Sequence, residues 1–359
     1  MRAILIAAVA AGLLTGSGSS PGLAEDKPIG VLLAAGDIVT TKPSGACVAD
    51  KFRSGKATAD LLQAEIDRVA TDFPGVEVQV IALGDLAYEK GESMHCFDQT
   101  WGKFKARMLP VPGNHDYETK NGKAYFTYFK SRLQQLNADK KLGTYAIDFP
   151  STGDHKWRLI GLNSNTETGP TTGQVAWLKN ELQNLQGKRC VLAFSHAFFY
   201  SSGLHGHDDG HGQPQNKVAD LSKPLLPGEK LGPMFAALYA NRASVFVAGH
   251  DHHFEQLGRA NGSASPADLG QAAIVPDGVR SFVVGTGGKG LYSYDYTYKW
   301  AFTEAYDVKR YGILRIDLYP KSYRWHFIPV IINGQADSMT ILKRVDGNPI
   351  DRDDCNLAE

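Results

Sequence analysis

The sequence predicts an α/β chain, with a sheet core of strands alternating with helices and a second, mixed sheet added late. Two observations carry that prediction. Short apolar runs rich in β-branched residues alternate with longer segments whose apolar residues recur at helical spacing, the pattern of strand–helix units. Beyond residue 280 strand-like runs dominate, which supplies a second sheet. A third observation says where the chemistry lies. Five of the apolar runs end in an aspartate, an asparagine or a histidine, and in such sheets ligands bind beyond the carboxyl ends of the strands.

Taken in order, residues 29–35 form the first strand and lead into Gly36-Asp37. A helix follows over 57–73, with Leu61, Leu62, Ile66, Val69 and Ala70 on its apolar stripe and Pro74-Gly75 as its stop. The strand at 78–83 ends in Gly84-Asp85-Leu86-Ala87-Tyr88. Residues 97–108 read as helix, and the short run 109–112 leads into Gly113-Asn114-His115-Asp116. Residues 121–138 read as helix, 144–149 and 157–162 as paired strands, and 174–185 as an amphipathic helix. The strand at 189–194 ends in Ser195-His196.

The Gly- and Pro-rich segment 201–229 is too long for a simple connection and reads as a functional loop. A short helix at 234–241 precedes Val245-Phe246-Val247-Ala248 and then Gly249-His250-Asp251-His252-His253. In an extended chain, His250 and His252 would face one side together. Residues 255–280 are polar and rich in small residues, a surface insertion before strands at 281–284, 312–319 and 323–332. The expected layout is a signal peptide at 1–24, one catalytic domain at 28–332 and a tail at 333–359.

Of the 359 residues 43% are hydrophobic, and the formal charge is zero. That balance gives no electrostatic footprint for nucleic acid or an anionic membrane. A negatively charged substrate must then be attracted locally, for instance by metal ions. Arg2, the apolar run 3–14 and the small residues up to Ala24 have the order of a secretory signal. The run is too short to span a bilayer, so the expectation is a secreted or periplasmic protein without stable membrane insertion. Export permits disulfides. Cys190 sits within an apolar run and reads as a buried thiol, which leaves the pairing of Cys47, Cys96 and Cys355 open.

Asp37, Asp85, Asn114, His196, His250 and His252 offer oxygen and nitrogen donors without thiolate, a set suited to iron, zinc, manganese or magnesium. Six donors are too many for one tetrahedral zinc and about right for two ions sharing a carboxylate. Two ions ~3.5–4 Å apart can grip both ends of an in-line displacement at phosphorus.

The blocks Gly36-Asp37, Gly84-Asp85, Gly113-Asn114-His115-Asp116, Ser195-His196 and Gly249-His250-Asp251-His252, in that order, resemble the calcineurin-like metallophosphoesterase superfamily over roughly residues 30–330. The resemblance implies a four-layer αββα sandwich of two mixed β-sheets flanked by helices. Many members carry a metal-binding histidine where this chain has Val39. Tyr88, three residues after Asp85, instead matches the purple acid phosphatase branch of bacterial secreted type. A phenolate is a hard anionic ligand that suits Fe(III).

By resemblance, a first ion, Fe(III), is held by Asp37, Asp85, Tyr88 and His252. A second ion, Fe, Zn or Mn, is held by Asp85, Asn114, His196 and His250. His115 and His205 are the implied catalytic residues, contacting substrate and moving protons. Their neighbours His207 and His211 are read as solvated loop residues. The implied function is metal-dependent hydrolysis of small phosphomonoesters, acid phosphatase-like, by a metal-activated hydroxide. The alternatives are a phosphodiesterase or nucleotidase on the same centre, or a catalytically dead metal-binding protein. Gly285-Thr286-Gly287-Gly288-Lys289-Gly290 lacks the hydroxyl residue of a phosphate-binding loop and instead resembles a late strand end near the site in bacterial members of the family. Tyr292, Tyr294, Tyr296, Tyr298 and Trp300 alternate and read as an edge strand or rim packing, with a substrate-facing aromatic platform as the alternative, and Asp251 and His253 read as structural groups beside the ligands.

Overall fold

The structure is a computed structural model. It describes residues 27–330 apart from 43, 89–92, 119, 167–168, 170–171, 208–230 and 293–298, together with 340–341 and 352–358. The expected signal peptide, His211, Tyr294, Tyr296, Tyr298 and most of the expected tail lie outside the described residues.

One sheet runs in the order β16 (Arg352–Asp354), β14 (Ser322–Pro329), β13 (Gly312–Leu318), β1 (Gly30–Ala35), β3 (Glu77–Leu83), β5 (Met108–Val111). The other runs β15 (Thr340–Ile341), β12 (Thr303–Asp307), β10 (Phe254–Ala260), β11 (Val279–Val284), β9 (Val245–Ala248), β8 (Val191–Phe194), β7 (Trp157–Gly161), β6 (Tyr145–Phe149). A small ribbon pairs β2 (Val39–Thr40) with β4 (Ala87–Tyr88). Both large sheets are mixed. β1, β3 and β5 are parallel and β13 antiparallel, while β7, β8, β9 and β11 are parallel and β10 antiparallel.

Every residue of β1 is buried, because the strand is covered on both faces. That is why it reads as a continuous apolar run and not as an alternation. Leu33 and Ile81 of one sheet pack into the same core as Phe194, Val247 and Phe282 of the other. Fully burying each such side chain contributes roughly 1.5–3 kcal/mol.

Helix α1 (Ala49–Asp72) lays Leu62 and Val69 into that core from outside the first sheet. The short helices α2 (His95–Asp98), α3 (Asn114–Tyr117), α4 (Lys123–Tyr128) and α5 (Lys130–Gln135) follow. On the outer face of the second sheet, α6 (Gly173–Leu185) and α7 (Gly232–Ala240) pack Leu178, Leu182, Phe235 and Leu238 against Ile160 and Phe246. The result is the expected αββα sandwich.

Four expectations need correction. The helix read over 121–138 is two helices, α4 and α5, divided at Phe129. Residues 97–108 hold only the end of α2, a 3₁₀ turn over Gly102–Arg107 and the first residue of β5. Residues 255–280 are no surface insertion, since β10 lies between β11 and β12 inside the second sheet. Its polar residues misled the reading, because Glu255 and Gln256 are buried with their polar ends satisfied. Glu255 accepts from Ser202 N and Thr303 Oγ1, both at 2.8 Å, and Gln256 accepts from Trp325 Nε1 at 2.8 Å.

The fourth correction concerns the cysteines and the end of the chain. Cys190 is bonded to Cys355 and Cys47 to Cys96, so Cys190 is not a buried thiol. Residues 352–354 add β16 to the edge of β14. Asp353 there takes Arg280 Nε at 2.9 Å and Arg259 Nε at 3.0 Å from the other sheet. This last segment therefore ties the two sheets together.

Burial alone would raise the Asp353 carboxyl, but Arg280 and Arg259 outweigh it and hold it below the ordinary carboxylate range. A carboxylate held low in the folded state adds stability above its ordinary value, and that stability is lost as pH falls through the lowered one. Asp353→Asn should therefore cost about 2 kcal/mol near neutral pH. The gap to the parent should close as pH drops below about 4. Denaturant unfolding at the two pH values measures both.

Candidate metal centre

The candidate ligands sit just beyond the carboxyl ends of five strands, the parallel β1, β3 and β5 of one sheet and the parallel β8 and β9 of the other. Asp37 follows β1, Asp85 follows β3, Asn114 follows β5, His196 follows β8, and His250 with His252 follow β9. Asp37, Asp85 and His250 hold left-handed backbone, with φ of 62°, 50° and 72°. For residues with a Cβ that conformation costs of order 1–3 kcal/mol each and collects at functional sites. Glycine serves close approach here, because a Cβ on Gly113 would collide with the Asp85 carboxylate.

The donors gather in two groups. In the first, Tyr88 Oη donates to Asp37 Oδ1 at 2.5 Å and lies 2.8 Å from His252 Nε2, which is 3.2 Å from Asp37 Oδ1. In the second, His196 Nε2 is ringed by Asn114 Oδ1 at 3.0 Å, His250 Nδ1 at 3.1 Å and Asp85 Oδ2 at 3.3 Å. The two histidines expected to face one side are thus divided between the groups. His250 turns through its left-handed φ, and its backbone N donates to Asp37 Oδ2 at 2.9 Å.

This arrangement suits a cation. His196 Nδ1 faces the Leu83 carbonyl at 2.8 Å. A carbonyl only accepts, so a proton sits on Nδ1, and the ring in its neutral form would present a lone pair at Nε2. That lone pair meets a carboxylate, a carboxamide oxygen and a second imidazole within 3.3 Å. Buried lone pairs so placed repel unless positive charge lies among them.

The electrostatics agree. Burial pushes His196 down, yet the Asp85 carboxylate carries it up to about 9. Burial likewise raises Asp85, but the imidazoles of His196, His115 and His250 hold it well below the carboxylate range. Burial, then the charges of Asp37 and Asp85, raise the Tyr88 phenol well above its ordinary value, so a phenolate there needs a cation beside it.

Around the donors stand groups that could meet a substrate. The His115 ring lies 4.3 Å from the Tyr88 ring, with Nε2 3.9 Å from Asp85 Oδ2. His205 stacks on His250 at 4.6 Å, and its Nε2 is 3.4 Å from Tyr292 Oη. Tyr292 stacks on His252 at 4.1 Å, and Lys289 Nζ sits 4.0 Å over the Tyr88 ring. Sequence reasoning placed the Lys289 block near the site by resemblance and held Tyr292 as an alternative platform residue, but assigned neither side chain a role. The glycine-rich block and the aromatic alternation after it were visible, but nothing in them showed which residue turns to the cleft.

The segment carrying His205 is anchored from below by the histidine turn. Asp251 accepts from Ser201 Oγ at 2.6 Å and from His205 N at 3.3 Å.

Residues 23–254 match the sequence profile of the calcineurin-like phosphoesterases. The chain belongs to that family. The family, together with the candidate metal site at Asp85, His196 and His250, implies a metal-dependent phosphoesterase, a hydrolase. No curated protein matches this calcineurin-like phosphoesterase in sequence. A purple acid phosphatase from seeds of yellow lupin (Lupinus luteus) shares its fold with a TM-score of 0.54 at 13% identity, covering 87% of this chain. This chain spans only 53% of the lupin protein.

A dimetal phosphatase from Danio rerio gives 0.52 at 13% identity, covering 85% of this chain and 98% of its own. GAP50, the anchor in the inner membrane complex of Plasmodium, gives 0.54 at 12% identity, covering 92% and 89%. At these identities the likeness is one of fold.

A Cβ on Gly203 would collide with Asp251 Oδ2 and crowd the His253 ring, and so must displace the segment that carries His205. Gly203→Ala should lower kcat on a phosphoester roughly 10- to 100-fold, the cost of a misplaced group near the chemistry. The measurement is kcat alongside metal content, which should stay at the parent value.

Proposed function

We propose that the protein is an exported phosphomonoesterase of purple acid phosphatase type working with two metal ions. Asp37, Asp85, Tyr88 and His252 would hold the first, and Asp85, Asn114, His196 and His250 the second. The observation that carries this reading is the pair of donor groups around His196 and Tyr88, with Asp85 acting electrostatically on both. When bound, such ions supply Lewis acidity, neutralise charge on phosphoryl oxygens and acidify a water. Tyr88 supports Fe(III) in the first position, and the donors of the second suit Fe, Zn or Mn.

The chain's own side chains supply the rest. His115, fixed against Tyr88 with Nε2 toward the Asp85 side, can give a proton to the departing alkoxide. His205 and Tyr292 offer polar hydrogens from the opposite side, over His250 and His252, where a phosphoryl oxygen could be held. Export is supported by the apolar N-terminal stretch and the two disulfides. No helix of the described residues is long and apolar enough to cross a membrane. A binding role without turnover is disfavoured by the donor set, since Tyr88 supplies a donor where Val39 stands in place of the histidine that many members carry.

Metal analysis with a visible spectrum of the purified protein tests the assignment. A phenolate-to-Fe(III) band that vanishes in Tyr88→Phe is the expected result, and its absence from metal-loaded protein would exclude iron bound by Tyr88. Turnover of p-nitrophenyl phosphate should exceed that of bis(p-nitrophenyl) phosphate, and the reverse order would favour a diesterase. Asn114→Ala and His250→Ala should each lose roughly 100-fold or more in kcat with folding intact. Near-parental rates in either would contradict the ligand assignment.

A further inference from the structure

His115 has two ends. Its Nε2 faces the centre, 3.9 Å from Asp85 Oδ2, while its Nδ1 lies 2.7 Å from Glu118 Oε1. Glu118 is three residues on, where one turn of α3 brings it beneath the imidazole, and its backbone N closes that turn onto the His115 carbonyl at 3.4 Å. The side chain of Glu118 is 40% exposed and that of His115 18%. A pair so open to solvent adds little to stability, so stability is not the reason for this contact.

The chemistry of the ring gives one. An imidazole that donates from Nε2 needs that nitrogen protonated and aimed, and both depend on what the other nitrogen meets. We propose that Glu118 is a positioning residue for His115. Its carboxylate accepts Nδ1–H, fixes the ring rotation and keeps Nε2–H directed at the leaving-group oxygen. Tyr88 supplies the second restraint, packing its ring at 4.3 Å and 40° to the imidazole. The 2.7 Å contact is not an aligned hydrogen bond as it stands. Such contacts tighten when substrate closes on the site. The inference rests on the reading of His115 as the proton donor.

The test compares two leaving groups on the metal-loaded protein. Glycerol phosphate needs a proton delivered to its alkoxide, whereas p-nitrophenyl phosphate releases a stable phenolate without one. Glu118→Ala should lower kcat on glycerol phosphate roughly 10- to 100-fold. On p-nitrophenyl phosphate the loss should be less than about threefold, with KM on both substrates within about twofold of the parent. Glu118→Gln, whose amide oxygen still accepts from Nδ1–H, should stay within about threefold on both.

Equal losses on the two substrates, loss of bound metal, or no loss on either would overturn the proposal. His115→Ala run in parallel separates the failures. A leaving-group bias there without one in Glu118→Ala removes Glu118 alone. No bias in His115→Ala removes the proton-donor reading, and this inference with it.

Discussion

The centre is organised by repulsion that a positive charge relieves. Asp85 and Asp37 are buried carboxylates, and the imidazole, carboxamide and phenol donors around them are drawn within hydrogen-bonding distance of one another. Without positive charge the cluster resorts to protons. His196 takes one up against the Asp85 carboxylate, and Tyr88 keeps its own and donates it to Asp37. The backbone enforces this crowding, through three left-handed residues at strand ends that other interactions must overcome. The rigid sandwich beneath supplies them.

Anchoring runs outward in layers. The turn that delivers His250 and His252 also carries Asp251, which pins the segment bearing His205. Glu255, just beyond, fixes Ser202 and Thr303. One stretch of six residues, 250–255, thus places donors in both groups and restrains the polar wall above them. The glycine-rich block closes the other side, with Lys289 N donating to the Asp37 carbonyl at 2.8 Å. Side chains that look incidental in the linear chain are the mounts on which the centre sits.

The sequence made the strand ends legible because both sheets keep their parallel strands in the core, where continuous apolar runs stand out against polar turns. Asp37, Asp85, Asn114, His196, His250 and His252 announced themselves as donors stranded after such runs. What stayed hidden is equally physical. β10 carries buried polar residues, satisfied by partners such as Ser202, Thr303 and Trp325 that lie far away in sequence, so its pattern imitates a surface loop. The Cys190–Cys355 link spans 165 residues, a distance over which no local pattern carries information. Tyr292 and Lys289 owe their roles to where a glycine-rich turn points, which periodicity does not encode. The division of His250 from His252 depends on a single positive φ.

The closing strand has a consequence for biosynthesis. β14 leaves the ribosome well before residues 352–354, and until they arrive its outer edge is open to pairing with any passing strand. Once β16 docks, its aspartate grips both sheets and its cystine closes the seam. Before that, the edge is open to strand exchange, and the Cys190–Cys355 bond then holds it closed.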